Sequence, residues 1–307
     1  MSNNFGIIIH YGLYSYYAFD DLISSKKRKI QNGAEWYYGR LIDTNKFRPI
    51  SGQSYTKEYH KNNHNNVNYF SNIDKIIRDK NKIKEWIKIC KENKASYIIL
   101  TAKHHDGVCL FDTKTTDKKS YLDICKIFAD ECKLINIDFG FYYSWFEFDK
   151  KFNIKYFENY CVNQIEELLK YNPKYFWFDG HWFIKQKSII DKIFIITKKI
   201  IDDGIIINDR IGGNDLSICN YRVFSDRFIP EKKLYIKWQH INTIGYSWGY
   251  NRMNTHSDYK TGEQIHKLKL KIENLGGELL LNIGPNYDGI ICNEELKCLQ
   301  YLGTNSI

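Results

Sequence analysis

The fold class this sequence predicts is α/β, a (β/α)8 TIM-like barrel formed by residues 1–307 as one domain. Three observations lead there. A chain of 307 residues can hold one barrel-sized core. Short β-branched or aromatic runs alternate with longer stretches of helical period, the pattern of parallel strands joined by helices. Polar residues cluster where those runs end, which is where such a barrel gathers its chemistry.

In chain order, "FGIIIH" (Phe5–His10) reads as the first strand, ending on a histidine before a glycine turn. The region Ala18–Ser71 resists the pattern, and its basic "SSKKRK" and Asn- and His-rich "HKNNHNNVNYF" read as a surface excursion. Within it "GAEWYY" stands apart, because an acid beside aromatics is a usual face for a sugar ring. Ile83, Trp86, Ile87 and Cys90 share a helical face before "SYIILT" (Ser96–Thr101), as do Cys125, Phe128, Ala129 and Cys132 before "DFGFYY" (Asp138–Tyr143). Ile165, Leu168 and Leu169 precede "YFWFD" (Tyr175–Asp179), and Ile190, Ile193, Phe194, Thr197 and Ile201 precede "GIIIN" (Gly204–Asn208). "YIKWQ" (Tyr235–Gln239) and "ELLLNI" (Glu278–Ile283) bring the visible strands to seven, with an irregular eighth expected. The last strand, bracketed by glycine turns, reads as fold rather than chemistry.

Composition narrows the function. Hydrophobic residues at 43% and aromatics at 16% exclude a disordered chain, and no apolar run approaches the roughly 18 residues of a membrane span. The formal charge of +9 comes from scattered lysines, so a solvated basic surface is expected, with neither a nucleic-acid nor a membrane partner. The eight cysteines sit singly, without Cys-x-x-Cys pairs, against zinc-ribbon and thioredoxin-like readings. "MSNNFGIIIHYG" lacks the basic region of a secretory leader, so reduced thiols and a cytoplasmic protein are expected.

The stretch "KYFWFDGHW" ends an apolar strand on Asp179, among aromatics that make a carboxylate costly to bury without a partner. Asp179 is either a turn former or helix cap, or a chemical group; Trp177, two residues earlier, faces the same side of the strand. A carboxylate held against an anomeric carbon is what a retaining glycosidase needs. "TAKHHDGVCLF" supplies His104 and His105 without the spacing of companion metal ligands, which leaves sugar hydroxyls or simple burial as their roles. His10 ends the first strand and Arg210 follows the fifth in "IIINDRIGG"; an arginine there would keep Asp179 ionised, or lie on the surface. Trp248, in "GYSWGYNR", sits on a loop suited to stacking on a sugar or to packing.

Together and in this order, "FGIIIHYGLYS", "GAEWYYGRL", "SYIILTAKHHDGVCLFDTKTTD", "GFYYSWFEF", "YFWFDG", "IIINDR", "SWGYN" and "GGELLLNIGPNYDG" resemble the family 29 glycoside hydrolases, the α-L-fucosidases. The resemblance implies a (β/α)8-like catalytic domain that hydrolyses α-L-fucosides with retention and without a cofactor, on fucosylated glycans or glycoconjugates. It makes Asp179 the nucleophile and His10, Glu35, Trp36, His104, His105, Tyr142, Trp177, Arg210 and Trp248 the fucose pocket, with Tyr143 the alternative to Tyr142. Family members commonly carry a β-sandwich after this domain, which is not expected here because the chain stops at Ile307. They usually read His-Trp-Gly where this chain has His10–Tyr11–Gly12. They often carry an acid/base glutamate where this chain has Ser225, and a serine cannot protonate a leaving group. Asp226 is the expected replacement and Glu231 the alternative; otherwise the acid is supplied from elsewhere or absent, and the rival reading is a fucose-binding homologue without catalysis.

Overall fold

The computed structural model describes residues 5–21, 33–42, 53–213 and 216–305. The basic "SSKKRK" stretch lies outside the described residues. Seven strands form one parallel sheet: β1 (Phe5–Ile9), β2 (Tyr97–Lys103), β3 (Asp138–Ser144), β4 (Tyr175–Asp179), β5 (Ile206–Ile207), β6 (Gln239–Thr243) and β7 (Glu278–Ile283). Their order is β5-β4-β3-β2-β1-β7-β6, so the chain steps outward from β1 to β5 on one side and returns through β6 and β7 to β1 on the other, a single circuit in one sense.

The two outer strands are joined by the irregular eighth stave. Parallel bridges Asn208↔Tyr221 and Arg222↔Trp238 carry the pairing from the end of β5 to the start of β6. Backbone bonds Arg222 N–H to Lys237 O (3.0 Å) and Gln239 N–H to Arg222 O (2.8 Å) secure it.

The helices pack outside on the faces that periodicity marks. Ile83, Trp86, Ile87 and Cys90 are buried on helix Lys80–Glu92, and Cys125, Phe128, Ala129 and Cys132 on helix Ile124–Leu134. Burial of each large apolar side chain contributes roughly 1.5–3 kcal/mol. On helix Lys187–Asp202 the buried face is Ile189, Ile193, Thr197 and Ile200, so Ile190, Phe194 and Ile201 flank the predicted stripe instead of centring it. All eight cysteines are free.

Two expectations are corrected. The sixth strand starts at Gln239, where the predicted one ends: Tyr235 is 92% exposed and Ile236 48%, and the segment before Trp238 only approaches the barrel. β-Branched character misleads there because the real strand places polar Gln239 and Thr243 toward the interior. The Ala18–Ser71 region is also more than a surface excursion. Tyr17 stacks on Tyr37 and on Tyr69, each at 4.7 Å, and His60 of helix Gln53–His64 is buried against the Tyr37 hydroxyl at 2.9 Å.

Candidate active site

Alternation along β4 turns Trp177 and Asp179 inward, and the strand ends at Asp179. Gly180 then takes φ +76°, a left-handed turn where a Cβ would meet Phe146 and Ser144 at 2.9 Å. The Asp179 carboxylate is fully engaged. Its Oδ1 accepts from Arg210 Nη1 at 3.0 Å, its Oδ2 accepts from the Tyr142 hydroxyl at 2.8 Å, and His105 Nε2 stands 3.5 Å from Oδ2. Burial alone would push this carboxyl up; Arg210, His105 and Tyr142 outweigh it and hold it below the usual range.

The second arm of Arg210 reaches the other candidate carboxylate. Its Nη2 donates to Asp226 Oδ1 at 2.5 Å and to the Phe224 carbonyl at 3.0 Å, while the guanidinium lies 4.8 Å over the Trp177 ring. A turn closed by Phe228 N–H on the Ser225 carbonyl, with Arg227 at φ +61°, delivers Asp226 to the cavity. Ser225 is exposed. Glu231 is elsewhere, with Pro230 in a separate depression against Lys267 and Lys271 of helix Gly262–Asn274.

The histidines are neutral hydrogen-bonding groups. Ser144 Oγ donates to the Phe146 carbonyl at 2.6 Å and shares a hydrogen bond of 2.7 Å with His105 Nδ1, while His105 Nε2 faces the Asp179 carboxylate and the cavity. His10 Nδ1 and His104 Nδ1 are buried without a partner. Burial lowers the pKa of His10 to about 3 and of His105 to about 4, and lowers that of His104 well below the ordinary value. Behind them, Lys103 is buried in an ion pair with Glu147 at 3.2 Å.

A cavity of about 410 Å³, its mouth included, is lined by ten of the eleven expected residues: His10, Trp36, His104, His105, Tyr142, Trp177, Asp179, Arg210, Asp226 and Trp248. Tyr142, not Tyr143, faces inward; the Tyr143 hydroxyl donates outward to Gln164 at 2.7 Å. Glu35 is buried beside the cavity rather than in its lining. Its Oε1 accepts from Gly33 N–H at 2.7 Å, and its Oε2 from Ser247 Oγ and the N–H groups of Trp248 and Gly249 at 3.1–3.2 Å. It therefore holds the Trp248 loop.

Two lining residues escaped the sequence reading, Trp182 and Ile241. Trp182, 44% exposed, follows the β4 end as Trp248 follows β6, and the same loop-aromatic signal would have found it. Ile241 was hidden by the misplaced sixth strand; two residues beyond Gln239, it faces the same interior.

A parallel barrel whose strand ends set a carboxylate among indoles, imidazoles and an arginine defines a catalytic domain of the glycoside hydrolase class. A family model described as alpha-L-fucosidase matches residues 1–305, and the chain belongs to the alpha-L-fucosidase family. It is 28% identical to the alpha-L-fucosidase of Dictyostelium discoideum, with 97% of this chain and 67% of that protein covered. It is likewise 28% identical to the plasma alpha-L-fucosidase of Rattus norvegicus, with 98% and 66% covered. The chain thus spans about two thirds of the length of these relatives. The crystal structure of Thermotoga maritima alpha-fucosidase in complex with fucose superposes with a TM-score of 0.77 at 27% identity, covering 98% of this chain and 72% of that one.

Proposed function

We propose that this chain is a retaining exo-α-L-fucosidase that removes terminal α-L-fucose from glycans through a covalent fucosyl-aspartate on Asp179. The observation that carries the reading is Asp179 itself: buried, held ionised by Arg210, and aimed into a pocket walled by indoles and imidazoles. The His105 ring and the unpartnered Nδ1 atoms of His10 and His104 suit the hydroxyls of one sugar ring, and Trp36, Trp177 and Trp248 suit its apolar faces. The fucose held by the related Thermotoga structure favours fucose as that ring.

In the first step Asp179 attacks the anomeric carbon, the glycosidic bond breaks, and the leaving oxygen takes a proton. In the second, water attacks the same carbon and releases the aspartate. Asp226 is the group for the proton, since it lines the cavity and Glu231 does not. Both carboxylates sharing one guanidinium suits the spacing of a retaining pair, about 5–5.5 Å.

Asp226 is tied up in an ion pair with Arg210 rather than standing free in the cavity. With Ser225 at the usual acid position, this favours a second reading, a fucose-binding homologue impaired in catalysis. Release of nitrophenol from an aryl α-L-fucoside, with a fucosylated disaccharide beside it and Asp179→Ala as control, separates the two. Turnover of both substrates, lost in the variant, is expected. Fucose binding by calorimetry with neither substrate cleaved would establish the binding protein, and neither binding nor turnover would end both readings.

A further inference from the structure

A chain of buried polar groups runs from the N-terminal end of the barrel to the pocket. Trp177 Nε1 donates to Gln239 Oε1 at 2.9 Å, Gln239 Nε2 donates to the Tyr97 hydroxyl at 2.8 Å, and that hydroxyl donates to Glu278 Oε1. Its direction is forced. An indole N–H can only donate, so Gln239 must turn its oxygen to Trp177 and its amide N–H to Tyr97, which leaves the tyrosine proton for Glu278. Tyr97, Gln239 and Glu278 are the first residues of β2, β6 and β7, at the opposite end from Asp179. Tyr97 occupies the space above Gly6, where any Cβ would lie 2.3–2.6 Å from its ring and hydroxyl.

We propose that Glu278 is a positioning residue for the sugar pocket, acting through Tyr97 and Gln239 on Trp177. An ionised acceptor strengthens a hydrogen bond roughly twofold over a neutral one, and bonds in a chain polarise one another. The carboxylate therefore holds the indole on which Arg210 rests, and through it the guanidinium shared by Asp179 and Asp226. Facing Glu278 are Tyr97, Tyr175, Tyr221 and Gln239. Burial raises all three tyrosines, Tyr175 to about 12 and the others well above their ordinary value, so they stay neutral where Glu278 titrates. Burial also raises Glu278 itself, against the bonds from Tyr97 and Gln239. At the far end the charged groups are Arg210, Asp179 and Asp226, and Asp179 lies below the ordinary range. The chain is thus tight above the raised Glu278 value and loosens as pH falls through it.

The test is fluorine NMR of protein labelled with 5-fluorotryptophan, which resolves each of the seven tryptophans, with Trp177→Phe to assign the signal. The Trp177 resonance should titrate with a midpoint above the ordinary glutamate value of about 4.3, and that titration should vanish in Glu278→Gln and weaken in Tyr97→Phe. Retention of the other six resonances shows that the variants are folded. Absence of the titration in the wild type, or its persistence in Glu278→Gln, overturns the coupling. The part concerning catalysis rests on the fucosidase reading: Tyr97→Phe should raise KM for an aryl fucoside roughly two- to tenfold, the worth of one buried hydrogen bond, with kcat little changed. An unchanged KM overturns the positioning role. A wild type whose Trp177 titrates but which neither binds nor cleaves a fucoside retires the fucosidase reading and leaves the coupling standing.

Discussion

Arg210 meets Asp179 through one arm of its fork, Nη1 to Oδ1 at 3.0 Å, and keeps the other arm for Asp226. The planar guanidinium offers the two carboxylates separate N–H groups in fixed directions, whereas a lysine would bring a single point charge on a flexible stem. The arginine thereby joins both candidate catalytic groups and helps to keep Asp179 ionised.

Replacing it makes this visible. In Arg210→Met the burial of Asp179 is no longer countered by its main cationic partner, so its carboxyl rises and protonates at higher pH. The acid limb of kcat/KM should move upward, and kcat/KM at neutral pH should fall by about 10²- to 10³-fold. A limb that stays in place would remove Arg210 from the control of Asp179.

The role of Asp226 depends on the leaving group. Asp226→Ala should slow hydrolysis of a fucosylated disaccharide by about 10²- to 10⁴-fold, the usual range for a lost general acid or base. The first step on an aryl fucoside, whose leaving group needs little protonation, should change far less, as read from the burst of nitrophenol release. Equal losses on both substrates, or none, would send the search for the proton donor elsewhere.

Glu35 acts on the pocket through Trp248. Glu35→Ala strands four donors, the backbone N–H groups of Gly33, Trp248 and Gly249 and the Ser247 hydroxyl, at about 1–3 kcal/mol for each one left without water. A lower melting temperature and a raised Kd for fucose are expected. Glu35→Gln, which keeps an acceptor for the Trp248 loop, should recover most of the affinity, and failure of that recovery would show that charge matters rather than loop position.

Acid should weaken the fold through the pocket histidines. In the unfolded chain His10, His104 and His105 take up protons near pH 6.5, whereas in the fold they resist until about pH 3 for His10 and about 4 for His105, with His104 also far below 6.5. The unfolded state binds more protons in that window, so stability falls as pH drops from 6.5 toward 4, by up to about 1.4 kcal/mol per pH unit for each histidine. Denaturant midpoints measured across that range check it; His104→Gln should flatten the slope by about one proton.

Much of this was legible in one dimension. The runs "YFWFD" and "ELLLNI" match β4 and β7 residue for residue, because buried parallel strands are continuous apolar stretches. The carboxylate ending the first of them was conspicuous for the cost of burying it. The lapses came where interior positions are polar: Gln239 and Thr243 made the sixth strand look unlike a strand, and Ile241 was lost with it.

Residue types and their order along the chain therefore determined the barrel, the strand ends and ten of the residues that meet in the cavity. Tertiary structure alone decided how those residues are joined. That Arg210 reaches both Asp179 and Asp226, that Glu35 holds a loop from behind, and that Glu278 connects to Trp177 depend on contacts between residues 16 to 214 positions apart. Periodicity reports which face a side chain takes, whereas charge and hydrogen bonding depend on which atoms closure of the barrel brings within about 3 Å.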